Sequence, residues 1–399
     1  MYVHHTMTGH GIYLNNARDV LFEKCRARFI GYGAFNYMSY VPGSSYEWDA
    51  LGATSVVYVN GVYSYAMLNN VIFKNCSTER VAGCSFYGLN SFNLEIGGCR
   101  VYDNVGYTTE DAIMGTQASR GRGVYRRSIH DNVYDYTGTI YSWTTDMRSD
   151  ESLCLDIHDN TFTHHFGNQS HSKVTSRGFV TINDTAKSGK VYFNFINNDL
   201  STNDTYTADA PSTYGGLNGL FTNGIVNIKN NSFSFNNSSN PSTNCIGSIA
   251  GVNIIDFSYN KCYGYFNYTG FEFTNSGSAS IYTPIYTAVG NSFYNRNANY
   301  NSSNGYNSAL GFSMTANMPV TRMEDNYTNV GHVGTFQTSP SFLRASRNHT
   351  AGGAIIQHRT GSSTLLAILT ENVHSSVNPY SGNFTMHTKT IIDNNISTT

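Results

Sequence analysis

Ser128-Ile-His-Asp-Asn132-Val-Tyr134 and Asp156-Ile-His-Asp-Asn160-Thr-Phe162 are two copies of one phrase, set 28 residues apart. Each has an apolar residue three places before an asparagine and an aromatic residue two places after it. Looser copies centre on Asn198, Asn231, Asn260 and Asn291, and weaker ones on Asn326, Asn348, Asn372 and Asn395. Many carry a further apolar residue five places before the asparagine, such as Leu155, Phe193, Val226, Ile255 and Leu343. Positions minus five and minus three are one strand period apart, so the phrase reads as a short half-buried strand, an Asn corner and a second short strand. Asparagine takes the left-handed conformation more readily than other non-glycine residues, which makes it the expected turning point.

After the first interval the spacings run 38, 33, 29, 31, 35, 22, 24 and 23 residues. Self-similarity at such a period marks a stacked repeat. Short strands, Asn corners and variable loops predict an all-β chain: a right-handed, single-stranded parallel β-helix of about 11–13 coils. Paired-helix repeats would need long runs rich in Ala, Leu, Glu and Lys, whereas charged residues are only 13% here. The leucines of a leucine-rich repeat are missing, and propeller blades are longer than the shortest of these intervals.

A solenoid has no size ceiling, because each coil contacts only its neighbours, so all 399 residues read as one domain. Excursions from the coil are expected at 36–55, 107–127, 137–153, 164–178 and 200–218, where polar and turn residues gather. The opening resembles the middle of a coil, which suggests that an N-terminal part of the full-length protein is missing. No signal peptide is recognisable there. A net charge of −2 without a basic stripe argues against nucleic acid, and no apolar run is long enough to insert in a membrane. Seven scattered cysteines fit neither a zinc site nor a disulfide framework. Cys25, Cys76 and Cys99 each close a matching phrase and are expected to stack as small buried side chains. The apolar positions of those early coils read as one residue out of phase with the later ones, which predicts a change of cross-section near residue 100.

A β-helix is a scaffold, so chemistry must come from side chains grafted on it. Excursions that leave the same side of successive coils could wall a groove. Trp48, Tyr107, Tyr125, Tyr141 and Trp143 would offer ring faces to sugars there, with Arg122 and Arg148 binding acidic groups. Glycoside hydrolysis needs two carboxylates. The candidates are Glu110 and Asp111, with Asp146, Asp150 and Glu151 about one coil later. Elimination would instead need a base such as one of His158, His164, His165 and His171. His130 and His158 share one place in the phrase and are expected to stack as a structural pair. Gly9-His10-Gly11 precedes the acidic pair, the reverse of its order in polygalacturonase-type hydrolases, and reads as chance. No metal-ligand spacing and no cofactor motif occurs.

With strand, Asn corner, strand and polar excursions in place, the chain resembles the pectate-lyase-like superfamily of right-handed parallel β-helices. Its Tyr, Asn, Ser and Gly richness and low charge are similar to the receptor-binding body of a phage tailspike. The resemblance covers nearly the whole chain and rests on the repeat pattern, without a family-specific catalytic motif. It implies a homotrimer on a virion tail, outside the cell, that contacts other tail proteins and binds and cleaves bacterial surface polysaccharide. Hydrolysis by paired carboxylates is the expected chemistry. A non-enzymatic glycan-binding adhesin or structural virion protein, and a secreted lyase or epimerase, remain alternatives.

Overall fold

Every asparagine of the repeated phrase sits at a corner, but it is the residue before it that turns the chain. Positive φ falls on Lys24, Asn75, Gly98, Asp131, Asp159, Asn197, Asn230, Tyr259, Gly290, Asp325, Arg347, Glu371 and Asn394. This corrects the expectation that asparagine itself takes the left-handed conformation. The asparagine faces inward instead, and most of the left-handed residues point into solvent.

The computed structural model describes residues 1–6, 12–15, 19–30, 57–60, 70–81, 85–89, 92–104, 109–113, 124–137, 141–145, 150–165, 180–184, 189–202, 217–235, 246–266, 271–275, 285–297, 308–314, 320–336, 342–358, 363–382 and 384–399. It contains strands and no helix among these residues, and all recorded pairings are parallel and in sequence order from coil to coil. The fold is a right-handed parallel β-helix. The chain divides into two compact units, Met1–Phe193 with Asn198–Pro211, and Asn194–Asn197 with Ser212–Thr399.

In the first unit one coil runs through strand Thr109–Ile113, strand Val124–His130, the corner, and strand Val133–Thr137. The next repeats it with Tyr141–Thr145, Ser152–His158 and Thr161–His165. Each coil therefore has three strands, one more than the phrase reveals. The extra strand lies inside the expected excursions 107–127 and 137–153, which are thereby shortened. Thr108-Thr-Glu-Asp-Ala-Ile-Met114 reads in the sequence as a strand entry flanked by loops, and a strand is there. Tyr-Ser-Trp-Thr-Thr lacks apolar alternation and reads as excursion, yet the two backbones pair in register, Glu110 with Ser142 and Asp111 with Trp143. Strand Asp199–Thr202 and the strand beginning at Leu217 likewise trim the excursion 200–218, and Thr161–His165 trims 164–178. The excursion 36–55 lies outside the described residues.

The second unit repeats the same three-sided coil. Strands such as Ile285–Val289, Val320–Glu324 and Phe342–Ser346 lead into the corners, and Ser292–Asn295, Tyr327–Thr328 and His349–Thr350 lead out. Two 13-residue strands, Leu217–Lys229 and Ile246–Ser258, run through two sides without a break.

The interior is stacked column by column. In the first unit Phe22, Phe73, Ile96, Ile129 and Ile157 share the position three before the corner residue and are buried. Leu94 pairs with Arg127 and Ile96 with Ile129, so the early coils are in phase with the later ones, and the expected change of cross-section near residue 100 does not occur. Tyr134 and Phe162 stack at 4.5 Å between centroids. His130 and His158 also stack, at 5.1 Å, as the phrase predicted. Each of these histidines holds the carboxylate of the following left-handed aspartate, at 2.8 and 2.7 Å, which explains why the His-Asp pair recurs.

The corner asparagines form an internal ladder. Asn160 Nδ2 donates to Ile129 O at 2.9 Å and to Asn198 Oδ1 at 3.0 Å; its Oδ1 accepts from the N and Nδ2 of Asn132 at 3.1 and 3.0 Å. A primary amide has two donors and two acceptor sites, and this arrangement uses all four. An aspartate could not donate, and an apolar residue would leave buried carbonyls and amides unpaired. The second unit repeats the ladder from Asn231 through Asn260, Asn291, Asn326, Asn348 and Asn372 to Asn395.

In the first coils cysteine takes the asparagine's place. Cys76 and Cys99 are buried and Cys25 partly so, as expected of a stacked thiol column. Cys76 Sγ reaches Phe22 O at 3.3 Å and Cys99 Sγ reaches Phe73 O at 3.6 Å, the carbonyls that an asparagine amide would take. Hydrogen bonding to Cys76 and burial together hold the Cys99 thiol well above the usual range. The two columns join where Cys99 N donates to Asn132 Oδ1 at 2.7 Å.

Candidate functional site

Strand Thr109–Ile113 carries the two carboxylates nominated for catalysis and lies between strands Phe86–Leu89 and Tyr141–Thr145. Backbone register places Glu110 level with Tyr87 on one side and Ser142 on the other, and Asp111 level with Gly88 and Trp143. Paired parallel strands lie about 4.8 Å apart, so each acidic position has one aromatic position on an adjacent rung, Tyr87 beside Glu110 and Trp143 beside Asp111. Pairing of the polar strands through their backbones produces this proximity, which their separation of some 30 residues in the sequence conceals.

Of the later acids, Asp150 is exposed in the turn that precedes strand Ser152–His158. Glu151 is 1% exposed and accepts the Tyr125 hydroxyl at Oε1, at 3.3 Å. A carboxylate so enclosed has no face for a glycosidic oxygen, and Glu151 is better understood as a buried partner of the coil. Asp146, Trp48, Tyr107, Arg122 and Arg148 lie outside the described residues.

Two nominated stacking residues are corrected outright. Tyr125 and Tyr141 are buried. The Tyr125 ring packs on Phe92 at 5.3 Å and has no free face for a sugar. Arg127, one of the arginines near the acidic strand, is also buried, with Nη1 donating to Phe92 O at 3.1 Å and Arg126 O at 3.0 Å. Counting back from the corner by twos places Tyr125 and Arg127 in the same inward column as Ile129, so alternation carried through the strand already marks them as interior. Tyr141 lies in the preceding strand of its coil, whose polar sequence gives no such count.

Elsewhere the described carboxylates are often held by cations. Glu79 pairs with Arg28 at 2.8 Å, and Lys229 with Asp256 at 2.6 Å. Glu324 is nearly enclosed and takes Arg322 Nη2 at 2.6 Å. That hydrogen bond holds the Glu324 carboxyl below the usual carboxylate range. Asp325 takes a two-point contact from Arg347, at 2.7 and 2.9 Å. Among the described residues no three His, Cys, Asp or Glu side chains converge as a metal site would require.

No family model, curated protein or solved structure matches the chain. The reading of function therefore rests on the fold and its surface. One surface feature escaped the sequence reading. Tyr263 and Tyr294 occupy the same outward column on successive rungs of the second unit, and their rings stack at 5.4 Å. The signal was present in the repeat: both stand three places after a corner asparagine.

Proposed function

We propose that the chain binds bacterial surface polysaccharide and cleaves it by glycoside hydrolysis, as the receptor-binding body of a pectate-lyase-like, tailspike-type β-helix. The observation that carries this reading is the acidic strand Thr109–Ile113, where Glu110 lies in register with Tyr87 and Asp111 with Trp143. Consecutive strand positions face opposite ways, so one of these two pairs and not both would line the cleft. Aromatic positions one rung from a carboxylate are where a sugar would have to stack for its glycosidic bond to meet an acid. One of Glu110 and Asp111 would act with Asp146 or Asp150 as general acid and as base or nucleophile. No cofactor is invoked.

The test is direct. Glu110→Gln and Asp111→Asn, singly and together, are incubated with host capsule or lipopolysaccharide, and new reducing ends are counted. The double variant is expected to release none while its melting curve matches the parent. Undiminished release would remove both residues from the site.

A second reading, a glycan-binding adhesin without activity, is favoured by a different observation: Glu79, Asp256, Glu324 and Asp325 are all ion-paired and Glu151 is buried. Retention of polysaccharide with neither reducing ends nor an unsaturated uronate product would select it. Assembly as a homotrimer on a virion tail belongs to the same proposal. Its support is an outward row of aliphatic side chains on successive rungs of the second unit, Ile254, Ile285 and Val320, all exposed.

A further inference from the structure

The short strands that leave the corners of the second unit carry no Asp or Glu, from Ser232–Phe235 through Lys261–Gly264, Ser292–Asn295, Tyr327–Thr328, His349–Thr350 and Val373–His374 to Ile396–Ser397. The corresponding strands of the first unit differ. There Arg28 and Arg26 are answered by Glu79, at 2.8 and 3.7 Å. In the second unit Lys261 and Arg296 are exposed on this side, and among the described residues neither has a carboxylate partner.

Arg296 is also held in place. Its guanidinium carbon lies 5.6 Å from the ring centre of Tyr263 and 5.2 Å from that of Tyr265. Its backbone N donates to Gly264 O at 2.7 Å. On either side Asn295 and Asn297 donate through Nδ2 to Phe266 O, at 3.1 and 3.0 Å, and Asn329 Nδ2 ties Asn295 O at 2.9 Å. A guanidinium lying on aromatic rings keeps its N–H edge free, because contact with a ring face uses its plane and not its donors. Beside it the Tyr263 and Tyr294 rings are 41% and 43% exposed. A pyranose ring needs an apolar surface against its C–H face, and a uronate needs a fixed cation a few ångströms away. Rungs about 4.8 Å apart repeat on the scale of one sugar residue.

We propose that Tyr263, Tyr294 and Arg296 form a binding site for an acidic glycan, with a sugar ring against the tyrosines and its carboxylate on the Arg296 guanidinium. The proposal rests on the polysaccharide-binding reading above and deepens it by giving the charge class and a place on the coil apart from Glu110 and Asp111. Lys261, on the preceding rung and four register positions nearer the corner, adds a second positive charge to this side of the coil.

The test uses calorimetric titration of the whole protein with glucuronate, galacturonate and mannuronate tetrasaccharides and with neutral tetrasaccharides of the same linkages. At least one acidic probe is expected to bind in preference to its neutral counterpart, and to bind more weakly as salt is raised. Arg296→Gln should weaken that binding about tenfold or more, the scale of a charge-assisted hydrogen bond. Tyr294→Phe should retain it and Tyr294→Ala lose it, with melting curves reporting the fold of each variant. Equal binding of acidic and neutral probes, or binding indifferent to Arg296→Gln, would overturn this site and leave the polysaccharide reading standing. Binding of host capsule without response to any acidic probe would overturn it in the same way. Failure to bind capsule at all would remove both.

Discussion

A single buried asparagine carries more of this fold than its size suggests. Asn291 Nδ2 donates to Phe257 O and to Asn326 Oδ1, both at 2.8 Å, while its Oδ1 accepts the N and Nδ2 of Asn260 at 3.0 and 3.1 Å. Replacement by alanine strands a carbonyl, an amide N–H and two halves of neighbouring amides in a dry interior. Each unsatisfied buried group costs about 1–3 kcal/mol. Asn291→Ala should therefore lower the melting temperature well beyond the effect of removing surface groups, and hydrogen exchange should accelerate first in the rungs of Asn260 and Asn326. An unchanged exchange pattern would show that the ladder is ornamental. Next to it Gly290 has φ +66°, and a Cβ there would stand 2.6 Å from the Tyr259 ring, so this corner has two separate reasons for glycine.

At the level of the strand and its corner, pH sensitivity follows from two histidines, His332, half-buried, and His374, buried. Strand His332–Phe336 begins with a side chain whose Nδ1 lies 3.0 Å from the Ala354 amide and 3.1 Å from the Ala354 carbonyl. An amide can only donate, so Nδ1 serves as its acceptor and carries no proton. Burial lowers the His332 pKa from 6.5, and burial also lowers that of His374. The sign follows: the unfolded chain binds these protons at higher pH than the folded one, so stability is complete above about pH 6.5 and falls as the pH drops below it. Chemical denaturation between pH 7.5 and 4.5 should show this loss, and His332→Gln should reduce its slope. The corner and the strands beside it were legible in the sequence because a buried amide and its apolar neighbours must recur at fixed offsets. The third strand was legible only in part, at Ile12–Asn15 and as a strand entry at Thr109–Ile113; polar runs such as Tyr141–Thr145 are held by backbone pairing and carry no apolar signal. The buried Tyr141 was not legible for the same reason, whereas Tyr125 and Glu151 fall an even number of residues from Ile129 and Ile157 and could have been placed inside by counting back from the corners. The left-handed residue was misplaced by one because the more regular asparagine beside it drew the reading, although nine of the thirteen described corner positions carry the Asn, Asp or Gly that this conformation favours.

For the whole molecule the outward aliphatic row makes the proposed trimer testable. Ile254, Ile285 and Val320 repeat on one column of the second unit, and like side chains at like heights suit copies arranged about an axis parallel to the coil. Ile285→Lys places a charge in that row without touching the interior. Sedimentation should then give a monomer where the parent gives three copies, with the melting of the isolated coil unaltered; a parent already monomeric would dismiss the row as an interface. The corners hold one consequence more. Since winding there is dictated by the main chain and by the inward amide or thiol, the residue just before it can vary where its side chain stands in solvent, as at Lys24 or Glu371, but not at Gly290, where a Cβ would meet the Tyr259 ring. A graft of chosen side chains at such corners, within either unit, would set pegs at rung spacing while the winding beneath keeps its pitch.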